Sequence, residues 1–251
     1  MNHNSDTHME NSKQIGEMLS HMLEKQERSN SSLDLDWRDR CRDWKTAILV
    51  ESAELIDHTA WKWWKAGATD TDQAQMEVVD LWHFLLSMML QEEPMLQYSN
   101  DSGISRDRKA EYYASWYTKQ YLTACIRSAE LPAEEIDVTR LSSAVKQFTH
   151  SVMSESNTAR NSLPHFLRVM SAAGLSFDWL YRMYIAKNIL NNFRWTHGSR
   201  EGTYVKEWFG REDNEYLTDV LYGASLVGEE LEALLQECLE EKYQQVLSKR
   251  A

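Results

Sequence analysis

The sequence contains few residues that interrupt regular structure. Of its 251 residues only 9 are glycine and 3 are proline, whereas 10 are tryptophan and 11 are tyrosine. Sandwiches and barrels need frequent turns, so this scarcity argues against those folds and against collagen-like or low-complexity chains. We therefore predict long helices that pack into an all-α helical bundle.

Cysteines and long apolar runs are also scarce. Cys41, Cys125 and Cys238 are widely spaced and form no CxxC pair, which argues against a disulfide framework and a zinc motif. No apolar run approaches the roughly 18 residues of a spanning helix, and residues 1–10 lack the apolar core of a secretory signal. These absences predict a reduced, cytoplasmic protein with no membrane partner.

Positive charge is in deficit along the chain. The 27 lysines and arginines are outnumbered by 39 aspartates and glutamates, which gives a formal net charge of −12. A broadly acidic surface repels nucleic acids and anionic membranes, so we expect neither as a partner. A phosphate-bearing substrate stays compatible with this charge if cations or a local basic patch offset it.

Hydrophobic periodicity predicts where the helices lie. We expect a disordered polar tail over residues 1–10 and a single domain over residues 11–251, with residues 94–160 as a candidate mobile lobe. Segments 94–108 and 197–214 read as loops. The predicted helices cover residues 13–28, a stretch from about 36, a stretch from about 71 to 91, and residues 111–129, 134–154, 163–173, 177–193 and 228–249.

Two pairs of carboxylates stand out within these helices. Glu51 and Glu54 lie three residues apart on one predicted helix, and Glu77 and Asp80 lie three apart on the next. Positions i and i+3 differ by about 60° around a helix axis, so each pair faces one side. A lone pair of this kind is usually a solvated face. Two pairs on adjacent, apolar helices instead predict a shared site.

Four converging carboxylates repel one another strongly, and a divalent cation would relieve that repulsion. Oxygen-only ligation favours Mg²⁺, with Mn²⁺ as a substitute, and suits a polyphosphate substrate. A di-iron bundle is the chemical alternative, but it needs Glu-x-x-His twice, and only Asp80 with His83 resembles that pattern. We predict two or more Mg²⁺ ions in a four-carboxylate site between adjacent helices.

The positions of the two pairs along their helices predict where the first helix ends. If that helix continued to Ala66, its acids would lie roughly 20 Å from the turn, against roughly 10 Å for the second pair. The pairs can face each other only if the helix ends soon after Asp57. Trp61–Lys65, with three tryptophans and two lysines, is then a separate element over the site.

Taken together, these motifs resemble the dimeric, all-α dUTPases, which belong to the wider MazG-like group of nucleotide pyrophosphohydrolases. The resemblance implies Mg²⁺-dependent hydrolysis of dUTP to dUMP and pyrophosphate by a homodimer, and it leaves the use of dUDP open. The segments that carry it are Trp44–Asp57, Trp61–Lys65, Glu77–Phe84, Lys187–Arg194, Gly202–Trp208 and Gly210–Asn214.

The resemblance also implies a role for individual residues. Glu54 and Glu51 are the predicted catalytic acids; we expect one of the acids to act as general base as well as ligand, with Glu54 as the first candidate. The implied metal ligands are Glu51, Glu54, Glu77 and Asp80; the base and sugar contacts are Gln26, Asn30, Trp61, Phe84 and Asn191; the phosphate contacts are Lys187, Arg194, Tyr204 and Lys206.

Side-chain chemistry agrees with several of these roles. Lys187, Asn191 and Arg194 share one helical face, and arginine suits bidentate phosphate contact. The amides of Gln26 and Asn30 match the donor and acceptor groups of a uracil edge. The expected reaction is in-line attack by a metal-activated water on a phosphorus of the triphosphate.

Two alternatives stay open at this point. One is a MazG-like pyrophosphohydrolase with a different or broader nucleotide choice. The other is an inactive helical protein that binds nucleotide.

Overall fold

The computed structural model of the chain describes residues 3–92, 118, 121–125, 135–226 and 228–250. Helices dominate this part of the chain, and the predicted all-α class is confirmed. In chain order the elements are α1 (His3–Leu33), α2 (Trp44–Asp57), α3 (Thr71–Glu92), α4 (Val138–Met153), α5 (Ala159–Ala172), α6 (Phe177–Thr196), β1 (Glu207–Trp208), β2 (Arg211–Glu212), α7 (Asp213–Gly223) and α8 (Gly228–Arg250).

The chain divides into two compact units, unit 1 (Met1–Tyr181) and unit 2 (Arg182–Ala251). The single domain that the sequence predicts over residues 11–251 stays a prediction. The boundary lies inside α6, so no proline- or glycine-rich segment marks it. Among the described residues, no helix has both the length and the apolar character needed to cross a bilayer.

Helix α1 is longer than the sequence predicted. It begins at His3 and ends at Leu33, so residues 3–10, predicted as a tail, continue the helix. Residues 1–10 contain neither glycine nor proline, and polar residues alone do not oppose helix formation. Its apolar face is buried as the periodicity predicts, through Ile15, Leu19, Met22 and Leu23.

Helix α2 starts later than predicted and ends where predicted. The helix expected from about Asp36 begins at Trp44, because Cys41 has a left-handed φ of 45° and Asp43 caps the new start. The Asp43 Oδ1 accepts a hydrogen bond from the Thr46 N–H at 3.0 Å, which satisfies an otherwise unpaired donor of the first turn. At the other end the helix stops at Asp57, as the spacing of the carboxylates requires.

The segment between α2 and α3 is a turn-containing loop that includes Trp61–Lys65. The Asp70 N–H donates to the His58 carbonyl at 2.9 Å, which joins the two ends of the loop. Asp70 also starts α3, because its Oδ1 accepts from the Gln73 N–H at 3.2 Å. Asp70 therefore caps the N-terminus of α3.

Helix α3 is the central element of unit 1, in contact with α1, α2 and α5, while α4 packs against α5 and α2. The ring of Trp82 on α3 stacks on Phe166 of α5 with centroids 4.8 Å apart. Phe166 in turn meets Phe148 of α4 edge-on at 5.8 Å. All three rings are fully buried, and such rings contribute large apolar areas to a core.

Unit 2 contains a short hairpin that the sequence did not reveal. Strands β1 and β2 pair antiparallel, with Trp208 opposite Arg211. The turn between them is Phe209-Gly210, and both residues have positive φ, 54° and 86°, as a tight two-residue hairpin requires. Strands of two residues are too short to show an alternating pattern, which is why residues 197–214 read as a loop.

An aromatic cluster holds this hairpin to α6 and α8. The ring of Tyr243 on α8 lies 5.4 Å from Phe193, 5.1 Å from Tyr204 and 5.7 Å from Trp208, measured between centroids. Its hydroxyl accepts from the Val205 N–H at 3.2 Å. The predicted C-terminal helix, acidic at its start and basic at its end, is confirmed as α8.

Much of the predicted lobe over residues 94–160 lies outside the described residues, as does most of the helix predicted over 111–129. Within that range, residues 121–125 are helical. Helix α4 and the first residues of α5 fall there as well.

Replacing Trp82 tests the packing of α3 on α5. We expect Trp82→Ala to lower the free energy of unfolding by about 3–5 kcal/mol, because it leaves a cavity against Phe166. Trp63→Ala is the matched control, since its side chain is 89% exposed and its loss should change stability by no more than about 0.5 kcal/mol. Urea unfolding followed by far-UV circular dichroism measures both, and equal effects would contradict the assigned core.

Candidate functional site

Three of the four predicted acids converge between α2 and α3. Glu51 comes from α2, and Glu77 and Asp80 come from α3. One carboxylate oxygen from each lies within 4.8 Å of the others. Glu77 is 7% exposed, and the other two are half-buried. The convergence follows from the packing of α2 along α3, with each acid on the facing side of its helix.

The close approach of these acids changes the pKa of Glu51. Burial raises the pKa of Glu51 to about 8, and a hydrogen bond to Glu77 with the negative charges of Asp80, Glu77 and Glu54 adds to the shift. A proton on Glu51 relieves part of the repulsion when no cation is bound. Three close carboxylates of this kind fit a hard divalent cation, which would take the place of that proton.

Glu54 lies apart from the other three predicted ligands. It is exposed on α2 and is not among the acids that meet within 4.8 Å, although its charge still acts on Glu51. The role of Glu54 as a metal ligand therefore stays a prediction.

His58 is a neighbour of the cluster that sequence reasoning missed. Its Nε2 lies 3.6 Å from the Glu77 Oε1, because it follows directly after the last residue of α2. The sequence signal was the predicted end of α2 after Asp57, which leaves the next side chain close to α3.

The two amides assigned to uracil recognition lie in one buried network. The Gln26 Nε2 donates to the Asn30 Oδ1 at 3.0 Å and to the Ser87 Oγ at 2.9 Å. The Gln26 Oε1 lies 2.8 Å from the His83 Nδ1, and the Asn30 Nδ2 donates to the Ser87 Oγ at 3.1 Å. All four side chains are buried, so the network sets the orientation of both amides.

The amide network and the acid cluster share a face of α3. Asp80, His83 and Ser87 occupy positions i, i+3 and i+7, which lie on one side of a helix. In the sequence, His83 stood out only through the di-iron pattern, and Ser87 was not predicted. Their signal was present, since a polar side chain every three or four residues interrupts an otherwise apolar helix.

The aromatic residues assigned to the base pocket have different surroundings. Phe84 is half-buried, with its ring centroid 6.2 Å from that of Trp44. Trp61 is 37% exposed and meets Trp64 edge-on at 5.2 Å. Lys62 lies over the Trp61 ring at 5.8 Å, so an exposed aromatic face sits beside a positive charge.

A second polar cluster lies in unit 2 and is built around a buried carboxylate. Asp213 is fully buried, and its two oxygens accept from Arg194 at 2.8 and 2.6 Å. The Tyr204 hydroxyl donates to the same carboxylate at 2.7 Å. Asn214 Oδ1 accepts from Arg194 at 2.9 Å and from the buried Lys187 Nζ at 3.2 Å. The carboxylate thus holds two predicted phosphate ligands, while Asn214 joins Lys187 to the cluster.

The remaining residues predicted to contact sugar or phosphate make fewer contacts with this cluster. Asn191 Oδ1 lies 3.4 Å from the Arg194 Nη1. Lys206 pairs with Glu212 at 2.9 Å on the surface. Burial, followed by the nearby charge of Asp213, raises the pKa of the Tyr204 hydroxyl, so this group stays a proton donor.

Asp213 lies within one of the segments that resemble the family, but no role was predicted for it from the sequence. Its position after a glycine turn, next to an asparagine, was the available signal. A linear pattern does not reveal that this acid lies under an arginine 19 residues earlier.

Residues 18–198, more than half of the chain, match the model of a protein family described as dUTPase. The matched stretch contains the acid cluster, the amide network and Lys187–Arg194, and it ends before Tyr204 and Asp213. No curated protein matches the chain.

The raised pKa of Glu51 predicts a pH-dependent effect of Mg²⁺ on stability. Between the ordinary 4.5 and about 8, the unfolded chain loses this proton while the folded chain keeps it, so the metal-free protein loses stability as pH rises. Mg²⁺ must displace the same proton. We therefore expect Mg²⁺ to raise the melting temperature more at about pH 8.5 than at about pH 6.

Differential scanning calorimetry with Mg²⁺ and with NaCl of equal ionic strength measures this difference. Glu51→Gln should abolish the dependence of the Mg²⁺ effect on pH. An equal Mg²⁺ effect at both pH values in the unchanged protein would contradict the assignment.

Removing the Asp213 charge tests the cluster in unit 2. Asp213→Asn keeps the shape of the side chain but leaves Arg194 without its counter-charge, and we expect a loss of about 3 kcal/mol or more. Glu212→Gln breaks the exposed pair with Lys206 and should cost about 1 kcal/mol or less. Thermal unfolding of both variants measures the difference. Similar losses of stability would show that the buried pair stabilises the protein no more than the exposed pair does.

Proposed function

We propose that this chain, which belongs to the all-α dUTPase family, is a dUTP diphosphatase that uses Mg²⁺ to hydrolyse dUTP to dUMP and pyrophosphate. The family is one of hydrolases of the dUTP pyrophosphohydrolase kind, with a nucleotide as substrate. The observation that supports Mg²⁺-dependent hydrolysis is that carboxylate oxygens of Glu51, Glu77 and Asp80 lie within 4.8 Å of one another. These acids lie inside the matched region.

In this proposal Glu51, Glu77 and Asp80 hold the metal, and Glu54 joins them when substrate is present. Bound Mg²⁺ neutralises phosphate charge and lowers the pKa of a water molecule for attack. Two or more ions are proposed, with Mn²⁺ as a substitute, since oxygen-only ligands accept both.

Glu54 is the proposed general base. It is exposed one helical turn beyond Glu51, so water can reach its carboxylate and pass it a proton during attack on phosphorus. Without metal, Glu51 holds a proton near neutral pH because its pKa is about 8, and bound Mg²⁺ would displace that proton. The two acids therefore support different roles from adjacent turns of one helix.

Selection of uracil is assigned to the buried amides of Gln26 and Asn30. His83 and Ser87 fix their orientation, so a base with the wrong donor and acceptor pattern would leave buried polar groups unpaired. Phe84 and Trp61 are proposed to line the base and sugar. The partly exposed ring of Trp61 suits stacking on a nucleobase.

The phosphate contacts are assigned to Lys187, Arg194, Tyr204 and Lys206, with Asn191 near the sugar. Asp213 holds Arg194 by its Nε and one Nη, and the other Nη lies 3.4 Å from the Asn191 Oδ1. The Lys206 pair with Glu212 is exposed and can be exchanged for a phosphate at small cost. A homodimer is proposed on the family resemblance.

The decisive measurement is pyrophosphate release from dUTP, dCTP and UTP, each with Mg²⁺ and with a chelator. We expect Mg²⁺-dependent turnover of dUTP at least about a hundredfold above the other two nucleotides. Preference for dCTP would overturn the uracil assignment. No Mg²⁺-dependent release from any nucleotide would instead favour an inactive binding protein.

Variants of the acids localise the activity. Asp80→Asn should abolish turnover, and Glu54→Gln should lower kcat by about 10²–10⁴. Asp72→Asn makes the same change as Asp80→Asn, on the exposed first turn of α3, and should leave turnover near that of the unchanged protein. Full activity in Glu54→Gln would contradict its role as base.

A further inference from the structure

A groove between α4 and α5 collects positive charge in an otherwise acidic chain. The cavity has a volume of about 400 Å³. No acidic side chain lines it within the described part of the chain, although the net charge of the protein is −12. It shares no residue with the acid cluster or the amide network. Its lining residues are Arg140, Ser143, Ala144, Gln147, Arg168 and Ser171.

The walls of the groove are held in place by the packing beneath them. The lining positions on α4 follow an i, i+3, i+4, i+7 pattern and those on α5 an i, i+3 pattern, so each helix presents one face. Phe148 and Phe166 pack edge-on between the helices. Ser151 and Ser162 join them by a hydrogen bond of 3.1 Å. The two arginines therefore project from fixed helices.

The floor of the groove contains a buried hydroxyl that makes no hydrogen bond. Ser171 is 2% exposed, and within the described ranges its Oγ has no hydrogen-bond partner. Buried hydroxyl groups are nearly always paired in folded proteins. Because Ser171 lines the groove, the oxygen of a bound ligand could accept a hydrogen bond from this hydroxyl.

Basic side chains act on one another beside the groove. His165, half-buried one turn before Arg168, has its pKa lowered by burial and then by the charges of Arg168 and His150. Arg168 is exposed and makes no ion pair or hydrogen bond with the described residues. An anion is thus the ligand that the electrostatics favour.

We propose that this groove is a second anion site, which binds a phosphate-bearing small molecule between Arg140 and Arg168. Guanidinium groups recognise phosphate oxygens with paired hydrogen bonds, and the hydroxyls of Ser143 and Ser171 are further donors. A volume of about 400 Å³ exceeds that of one phosphate group and suits pyrophosphate or a nucleoside monophosphate.

Isothermal titration calorimetry of the full chain in chelator tests the site without any metal. The titrants are inorganic phosphate, pyrophosphate and dUMP, with sulfate at equal ionic strength as the reference anion. We expect the dissociation constant to rise about tenfold for each groove arginine changed to glutamine, and about a hundredfold in Arg140→Gln with Arg168→Gln. Ser171→Ala should weaken binding several-fold.

Two control variants separate this site from others. Arg160→Gln removes an exposed arginine of α5 that does not line the groove, and Arg194→Gln removes the predicted phosphate contact of unit 2. Arg160→Gln should leave the measured affinity unchanged, and Arg194→Gln should remove only binding that belongs to unit 2. Far-UV circular dichroism checks that every variant is folded. Tighter binding of pyrophosphate than of dUMP would support a polyphosphate ligand, and the reverse would support a nucleotide.

Three results would overturn the proposal. They are the absence of binding by all three phosphate compounds, unchanged binding in the double arginine variant, and binding no stronger than that of sulfate. Loss of binding in Arg194→Gln alone would place the ligand in unit 2 instead. The test does not depend on dUTP hydrolysis, so either proposal can fail while the other stands.

Discussion

Repulsion among the carboxylates of Glu51, Glu77 and Asp80 is the constraint around which unit 1 is built. Their oxygens lie within 4.8 Å of one another, an arrangement that is unfavourable unless a proton or a cation lies among them. The packing of α3 holds them there, because the stacked rings of Trp82 and Phe166 anchor that helix in the core. Apolar burial thus maintains a charge arrangement that would otherwise separate, and the raised pKa of Glu51 is its direct consequence.

In unit 2, by contrast, the charge of a buried carboxylate is compensated by other side chains. Asp213 is fully buried, yet Arg194 and Tyr204 satisfy it with three hydrogen bonds, so it needs no external cation. The acid cluster is left with excess negative charge and suits a metal, whereas the Asp213 cluster is compensated by the chain itself. Asp213 therefore orients the Arg194 guanidinium, and under the proposed function a phosphate would meet a group whose movement its buried partner limits.

Local sequence patterns predicted where most helices lie, but they predicted some helix ends correctly and misplaced others. The end of α2 at Asp57 follows from requiring two acid pairs to face each other, which is a three-dimensional argument made from spacing alone. Its start was misplaced, because the left-handed backbone at Cys41 and the cap at Asp43 interrupt a run whose apolar period appears continuous. The β1–β2 hairpin was missed for a related reason, since two-residue strands have no period.

The sequence by itself determined the all-α class, the acids on α2 and α3 and the residues that resemble the dUTPase family, because helical periodicity and motif spacing are local properties. Only the tertiary structure decided which of those acids meet. It separated exposed Glu54 from the other three, gave Gln26 and Asn30 the partners His83 and Ser87, and placed Asp213 under Arg194. These outcomes depend on how helices pack, and burial and close contact between residues far apart in the chain cannot be read from local order.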